Sequence, residues 1–77
     1  MNEKIQEKIG NYIFNTISKN NQDIDGVIIE HYIRNADLKE FEFIYSTYNK
    51  DGRRNNDYQT FKLTFEQFES LIKNEQN

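Results

Sequence analysis

The segment Leu63-Thr64-Phe65-Glu66-Gln67-Phe68 carries the most specific structural signal in the chain. Thr64 and Gln67 have the spacing of a capping box, in which each side chain accepts a hydrogen bond from the backbone amide of the other residue. Leu63 and Phe68 stand at the positions of a hydrophobic staple around that cap. The sequence therefore predicts a helix that begins directly after Thr64 and ends near residue 74.

Three segments before this helix alternate apolar and polar residues, which is the pattern of half-buried β-strands. They span residues 27–34, 41–48 and 58–63, and a turn signal, Asp23-Ile24-Asp25-Gly26, precedes the first of them. Because the connections between them are short, the strands are expected to form an antiparallel meander. In the first strand, the alternation places Val27, Ile29, His31 and Ile33 on the core side and Ile28, Glu30, Tyr32 and Arg34 on the other.

The amino-terminal segment, residues 3–20, has the periodicity of an amphipathic helix with a single apolar stripe. Asn2 is a suitable N-cap, and Asn20-Asn21 offers residues that tolerate the left-handed conformation at a helix end. Gly10 costs about 1 kcal/mol relative to Ala within a helix, so we expect it to mark a close packing point. The stripe consists of Ile5, Ile9, Tyr12, Ile13 and Ile17.

The order helix, three strands, helix predicts a two-layer α+β domain, α-β-β-β-α, with both helices on one face of a three-stranded antiparallel meander. The 77 residues are expected to form a single domain, residues 1–77, with fraying at residues 1–2 and 75–77. The predicted core takes apolar side chains from all five elements. It consists of Ile5, Ile9, Ile13, Ile17, Val27, Ile29, Ile33, Phe41, Phe43, Phe61, Leu63, Phe68, Leu71 and Ile72.

The composition excludes several classes of protein. The chain has no Cys, so thiol catalysis, disulfides and Cys-ligated zinc are excluded. No apolar run reaches the roughly 18 residues of a membrane helix, and we expect a cytoplasmic protein without a membrane partner. The net charge of −3 argues against nucleic acid as a partner, because typical nucleic-acid-binding proteins are basic.

The sequence offers little support for catalysis, and we expect neither an enzyme nor a cofactor. His31 is the only histidine, and its place on an apolar strand face is more typical of a packed residue than of a general base. Asp23 and Asp25, joined by Asp57 or Glu30, have ligand chemistry for a hard cation. Asp-Gly pairs are ordinary turn residues, however, and the segment lacks the later bidentate Glu of a calcium loop. We therefore predict no metal site.

The second face of the predicted sheet is the first candidate binding surface, because a chain of this size has no further layer to cover it. Apolar and aromatic side chains grouped on such a face often mark a binding or dimer surface. Cross-strand Tyr and Ile pairs that stabilise an open sheet are an equally good explanation. The candidate binding residues on this face are Ile28, Tyr32, Arg34, Ile44, Tyr48, Tyr58 and Lys62.

A second candidate is the loop from Asn49 to Asp57, which is longer than the roughly two to five residues of most hairpins. Its cations, Lys50, Arg53 and Arg54, have the chemistry to contact phosphates or an acidic protein surface. Solvated charge is the commoner explanation for charged residues in such a loop.

Tyr48, Asp51-Gly52 and the segment 61–68 carry a family resemblance. They resemble the last hairpin and helix of the positive-coactivator family of single-stranded DNA-binding proteins. In that family a strand, an acidic-glycine loop and a strand ending in Leu-Ser/Thr lead into a helix that opens with Glu-Gln-Trp. The resemblance implies a dimer whose curved sheet binds single-stranded DNA. The residues it suggests for base stacking and phosphate contact are Tyr32, Tyr48, Tyr58, Arg34, Arg53, Arg54 and Lys62.

The acidic balance, the missing catalytic residues and the uncovered sheet face together favour a non-enzymatic module that acts by protein–protein contact. Asn, Ile and Lys are frequent, as in AT-rich genomes, and such a chain resembles phage or mobile-element inhibitors of host proteins such as nucleic-acid enzymes. An acidic surface would then mimic nucleic acid. Its residues would be Asp23, Asp25, Glu30, Asp37, Glu40 and Glu42. The alternatives are a single-stranded nucleic-acid-binding protein and a homodimeric assembly protein.

Overall fold

A computed structural model describes residues 2–55 and 57–76, with the backbone alone for 74–76. The predicted α+β class and the order α-β-β-β-α are confirmed. Of the residues expected to fray, Asn2 caps the first helix and residues 75–76 belong to the last one, while Met1 and Asn77 lie outside the described residues. The elements are α1 (Glu3–Ile17), β1 (Ile24–Asn35), β2 (Glu40–Asn49), β3 (Gln59–Thr64) and α2 (Phe65–Gln76).

Helix α1 begins as the sequence predicts but ends earlier. The Asn2 side-chain oxygen accepts a hydrogen bond of 2.9 Å from the amide of Ile5, which satisfies one of the free donors of the first turn. The helix ends at Ile17, and Ser18 caps it in the right-handed conformation. The predicted left-handed stop at Asn20-Asn21 is wrong, because Lys39 is the only non-glycine residue with positive φ in the described chain.

The three strands form one antiparallel sheet in the order β1-β2-β3, with β2 in the centre. Phe43 of β2 lies opposite Tyr32 of β1 and Phe61 of β3, so aromatic side chains cross the sheet in one row. A turn over residues 36–39 joins β1 to β2, and Lys39 ends it with a φ of 52°. The predicted meander is therefore confirmed.

A β-bulge in β1 reverses the predicted facing of the second half of this strand. Ile29 lies opposite Tyr45 and His31 opposite Ile44, so Glu30 is an extra residue on the β1 side. One extra residue shifts the two-residue alternation and moves every following side chain to the other face. The placement of Tyr32 and Arg34 away from the helices was therefore wrong, as was the placement of His31 and Ile33 in the core.

The predicted turn at Asp23-Ile24-Asp25-Gly26 is also wrong, because β1 already begins at Ile24. The turn lies at residues 22–23, and Asp25 is a second extra residue opposite the Asn49–Tyr48 step of β2. Gly26 is buried within the strand, next to the side chain of Tyr48. Its lack of a side chain serves packing across the sheet rather than a turn.

The core lies between the two helices and one sheet face. Ile9 and Ile13 of α1 are fully buried against Phe43, and Tyr45 and Leu63 complete the buried cluster. Ile33, which the sequence analysis placed in the core, is 43% exposed on the other face. Burial raises the pKa of the Tyr45 hydroxyl above its ordinary value of 10.0. Partly buried side chains around this cluster are Ile5, Tyr12, Ile17, Val27, Ile29, Phe41, Phe61, Phe68 and Leu71.

The capping box at the start of α2 is confirmed in both directions. The Gln67 amide donates to the Thr64 hydroxyl oxygen at 3.0 Å, and the Thr64 amide donates to the Gln67 side-chain oxygen at 2.9 Å. The Phe65 amide donates to the Lys39 carbonyl at 2.9 Å, which ties the start of α2 to the β1–β2 turn. Phe68 then packs on Phe41, with ring centroids 4.5 Å apart.

Candidate binding surface

The sheet face opposite the helices carries the candidate site, and we call it the open face. It contains both aliphatic and charged side chains. Ile28 is 40% exposed and Ile33 is 43% exposed, while Ile44 is half-buried between the outer strands. By strand register, and for Glu30 by its hydrogen bond with Ser46, the open face consists of Gly26, Ile28, Glu30, His31, Ile33, Asn35, Glu40, Glu42, Ile44, Ser46, Tyr48, Thr60, Lys62 and Thr64.

Four of the residues predicted for this surface lie on the open face. They are Ile28, Ile44, Tyr48 and Lys62. Tyr58 lies directly before β3 and is 64% exposed. Tyr32 and Arg34 lie on the helix side instead, for the reason given by the bulge at Glu30. Ile33 lies on the open face for the same reason, although its place in the alternation predicts it for the core.

Tyr32 and Arg34 contribute to packing above the sheet. The Tyr32 ring centroid lies 6.4 Å from that of Phe41 and 6.3 Å from that of Phe43. The Arg34 guanidinium carbon lies 4.9 Å from the centre of the Phe65 ring, in a cation–π contact at the start of α2. Tyr32 therefore cannot form one stacking row with Tyr48 on the open face.

A polar cluster of Glu30, Ser46 and Arg54 lies at the middle of the open face. The Ser46 hydroxyl donates to the Glu30 carboxylate at 2.7 Å, and Arg54 Nε donates to the Ser46 hydroxyl oxygen at 3.1 Å. The Arg54 guanidinium also forms an ion pair with the Glu30 carboxylate. Ser46 is fully buried, so these two charged side chains cover this part of the sheet. No local pattern in the sequence signals this cluster, because its members come from three separate segments.

The long loop after β2 is built as a continuation of the hairpin. The Asn49 amide donates to the Arg53 carbonyl at 2.9 Å, and the Asn49 side-chain oxygen accepts hydrogen bonds of 3.0 Å from the amides of Asp51 and Arg53. Gly52, with a φ of 81°, supplies the left-handed residue of the turn. Arg54 then pairs with Tyr48 in an isolated bridge.

The three predicted cations of the loop therefore do not form one free basic group. Lys50 and Arg53 are exposed near the loop tip, but Arg54 is engaged with Glu30 on the open face. Lys62 is engaged as well, with its amino group 3.5 Å from the Glu42 carboxylate and 4.0 Å from that of Glu40.

The predicted acidic patch is not one surface. Asp23 and Asp25 lie at the start of β1, whereas Asp37 lies in the turn beyond the other end of this strand, about 35 Å away along a strand of this length. Glu30 is paired with Arg54, and Glu40 and Glu42 share Lys62. The six carboxylates are thus divided among separate places, and half of them have cationic partners.

The described residues give no support to a metal site or a membrane segment. Within residues 2–55 and 57–76, no group of three or more His, Cys, Asp or Glu side chains is placed to hold a metal ion. In the same ranges, no helix is both long and apolar enough to cross a membrane. Glu30 is also not available as a third ligand beside Asp23 and Asp25 in a cation site, because its carboxylate is paired with Arg54.

Comparisons of this chain with protein-family models, with curated proteins and with solved structures find no match. The resemblance of residues 48–68 to the positive-coactivator family therefore stays a prediction. The open face has to be interpreted from its own residues and their contacts.

Proposed function

We propose that this chain is a non-enzymatic binding module that contacts a partner protein through the open face. The observation that supports it is the pairing of charges within that face. Glu30 pairs with Arg54, and Glu42 pairs with Lys62, while aliphatic side chains such as Ile33 stay exposed beside them. The face therefore offers apolar area beside charged side chains that already have partners within the chain.

Such a surface suits contact with an apolar protein surface. Removal of exposed aliphatic area from water favours association by about 25 cal/mol for each Å², and the entropy lost on association offsets part of this gain. Charges that already have partners within the chain need no new partner across the interface, and the cores of protein interfaces are poor in unpaired charge. The partner surface is accordingly aliphatic or aromatic at its centre. A module of this kind acts by occupying such a surface, as a small inhibitor or regulator does.

The nucleic-acid alternative receives less support from the same contacts. Single-strand binding needs free cations for the phosphates and aromatic rings for the bases. Arg54 and Lys62 are engaged by carboxylates, and Tyr32 lies beside Phe43 on the helix side of the sheet rather than on the open face. Mimicry of nucleic acid also receives less support, because the carboxylates do not share one surface.

Site-specific photocrosslinking in the native host tests the proposal. A photoreactive benzoylphenylalanine replaces Ile33 on the open face in one chain and Leu38 in another. Leu38 is the matched control, because it is a 64% exposed aliphatic residue in the turn between β1 and β2. We expect a single adduct from position 33 that contains a second, different protein, and no adduct from position 38.

A further variant and a salt series make the outcome decisive. Ile44→Ser in the crosslinking chain, on the open face and outside the groove at the edge of β1, should lower the adduct about tenfold, and the adduct should persist when salt rises from about 50 to about 200 mM. The proposal would be overturned by any of four outcomes, which are equal adducts from positions 33 and 38, an adduct of two copies of this chain, an adduct with nucleic acid, or no adduct. The second of these outcomes would identify self-assembly instead.

A further inference from the structure

A groove of about 500 Å³ runs between α1 and the outer edge of β1, and we call it the edge groove. Gly10 and Phe14 of α1 form its upper wall, and the run Gly26–Ile29 of β1 forms its floor. Tyr48 closes it from below, because its ring passes over Gly26 and reaches the outer edge of the strand. A β-carbon at Gly10 would lie 4.0 Å from the Val27 carbonyl oxygen, in ordinary contact, so position 10 is not the close packing point that the sequence predicts.

The backbone of Gly26–Ile29 is suited to pair with an added strand. β1 is an outer strand of the sheet, and this run lies in regular register with β2 between the extra residues Asp25 and Glu30. Among the described residues, no hydrogen bond outside the β1–β2 ladder uses a backbone group of this run. Bulges interrupt strand pairing and protect an edge, so they limit an added strand to about four paired residues.

The charges around the edge groove select the kind of strand. Glu3 and Glu7 of α1 and Asp25 of β1 line the groove, and none of the described residues that line it is a Lys or an Arg. An approaching anion would meet three carboxylates, whereas a cation would be attracted by them. The floor and walls between these carboxylates include the aliphatic Val27, the aromatic Phe14 and the Tyr48 ring.

We infer that the edge groove binds an extended segment of a partner protein, with an apolar side chain flanked by Lys or Arg, by strand addition to Gly26–Ile29. In this mode backbone hydrogen bonds to the sheet edge supply affinity, and side chains on alternate residues supply specificity. Cationic side chains of the segment meet Glu3, Glu7 and Asp25, and its apolar side chain enters between α1 and Tyr48. This site shares Gly26, Ile28 and Tyr48 with the open face but does not include Ile33, so the two proposals can be tested separately.

Panning of a random displayed peptide library against the full chain tests the inference. We expect enriched peptides to combine Lys or Arg with apolar residues. One such peptide, titrated into isotope-labelled protein, should shift the amide signals of Gly26–Ile29 and slow the hydrogen exchange of those amides in the run that point away from β2. Protection of these amides is the signature of strand addition, which charge attraction alone would not produce.

Matched variants separate this site from the open face. Glu7→Lys should weaken the peptide about fivefold or more, whereas Glu66→Lys, with the same charge change on α2, should leave its affinity unchanged. Gly10→Leu should block binding by filling the groove, and Ile33→Asp should not affect it. The inference would be overturned if the library gave acidic peptides or none, or if the two Glu→Lys variants weakened the peptide equally. Amide shifts centred on Ile33 and Ile44 would also overturn it. None of these results would contradict the proposal for the open face.

Discussion

The ring of Tyr48 lies over Gly26 across the β1–β2 ladder and fills the space that a β-carbon at position 26 would occupy. An aromatic ring that covers a glycine on the neighbouring strand restores the packing that the glycine itself lacks. This pair also forms the lower side of the edge groove. One contact thus sets both the register at the start of β1 and the shape of the groove.

Gly26→Ala should therefore lower the free energy of unfolding by about 1–3 kcal/mol, the usual cost of overpacking. The added methyl group would displace the Tyr48 ring from the strand. Urea unfolding followed by circular dichroism measures the loss. In a Tyr48→Ala background the space is empty, so the same substitution should be neutral or stabilising. Equal losses in the two backgrounds would show that the ring does not limit position 26.

Thr64→Ala should lower the free energy of unfolding by about 1 kcal/mol, because it removes the hydroxyl that accepts the Gln67 amide hydrogen at the start of α2. Thr16→Ala is the matched control. Its hydroxyl donates to the Tyr12 carbonyl within α1, and Ala is the better helix former, so stability should stay the same or rise. Chemical unfolding of both variants measures the difference, and a similar loss in both would contradict a specific role for the cap.

Gly10→Ala should raise the free energy of unfolding by about 0.5–1 kcal/mol, because Ala is favoured over Gly inside a helix. The new methyl group would lie in ordinary contact with the Val27 carbonyl oxygen, at 4.0 Å. Thermal unfolding measures the gain. Gly52→Ala is the opposite control, since its φ of 81° strains any residue with a β-carbon and should lower stability. A loss from Gly10→Ala would mean that α1 cannot accommodate the methyl group.

The free energy of unfolding should fall above about pH 10, and the deprotonation of Tyr45 should cause part of this fall. Burial raises the pKa of Tyr45 above its ordinary 10.0, so the folded chain keeps the proton at pH values where the unfolded chain has released it. The resulting stabilisation is complete below the pKa that Tyr45 has in the unfolded chain, and it is lost as pH rises through the pKa that Tyr45 has in the folded chain.

Tyr45→Phe should therefore show a smaller loss of stability between about pH 9 and about pH 11 than the wild type. Urea unfolding at several pH values gives the comparison. Tyr58→Phe controls for the removal of a phenol, because Tyr58 is 64% exposed, and it should follow the wild type. Parallel curves for the wild type and Tyr45→Phe would contradict the assignment.

The features that were predicted correctly from the sequence are those set by neighbours along the chain. The Thr64–Gln67 capping box depends on a spacing of three residues, and the Asn2 cap depends on the same spacing to Ile5. Helix and strand periodicity likewise act within a few residues, which is why the order of elements could be predicted. The end of α1 was missed because no residue with positive φ marks it.

The sheet face on which each side chain of β1 lies could not be predicted beyond Ile29, because the bulge that decides it depends on contacts outside this strand. Val27, Ile29, His31 and Ile33 alternate without a visible break, and the extra residue appears only when β2 is laid alongside. Glu30 is then held by Ser46 and Arg54, which lie far along the chain. The sheet face was accordingly predicted correctly for Ile28 and Tyr48, before the bulge and on β2, and wrongly for Tyr32 beyond it.

The bulge at Glu30 lets the open face tolerate a change in chain length at a single position. Deletion of Glu30 would leave Ile29 and His31 as consecutive residues opposite Tyr45 and Ile44, so every later side chain of β1 would keep its present face. The exposed aliphatic side chain of Ile33 would stay where it is, and the carboxylate that holds Ser46 and Arg54 would be lost. Loss of one codon here would therefore change the surface at a single side chain, as a point substitution does.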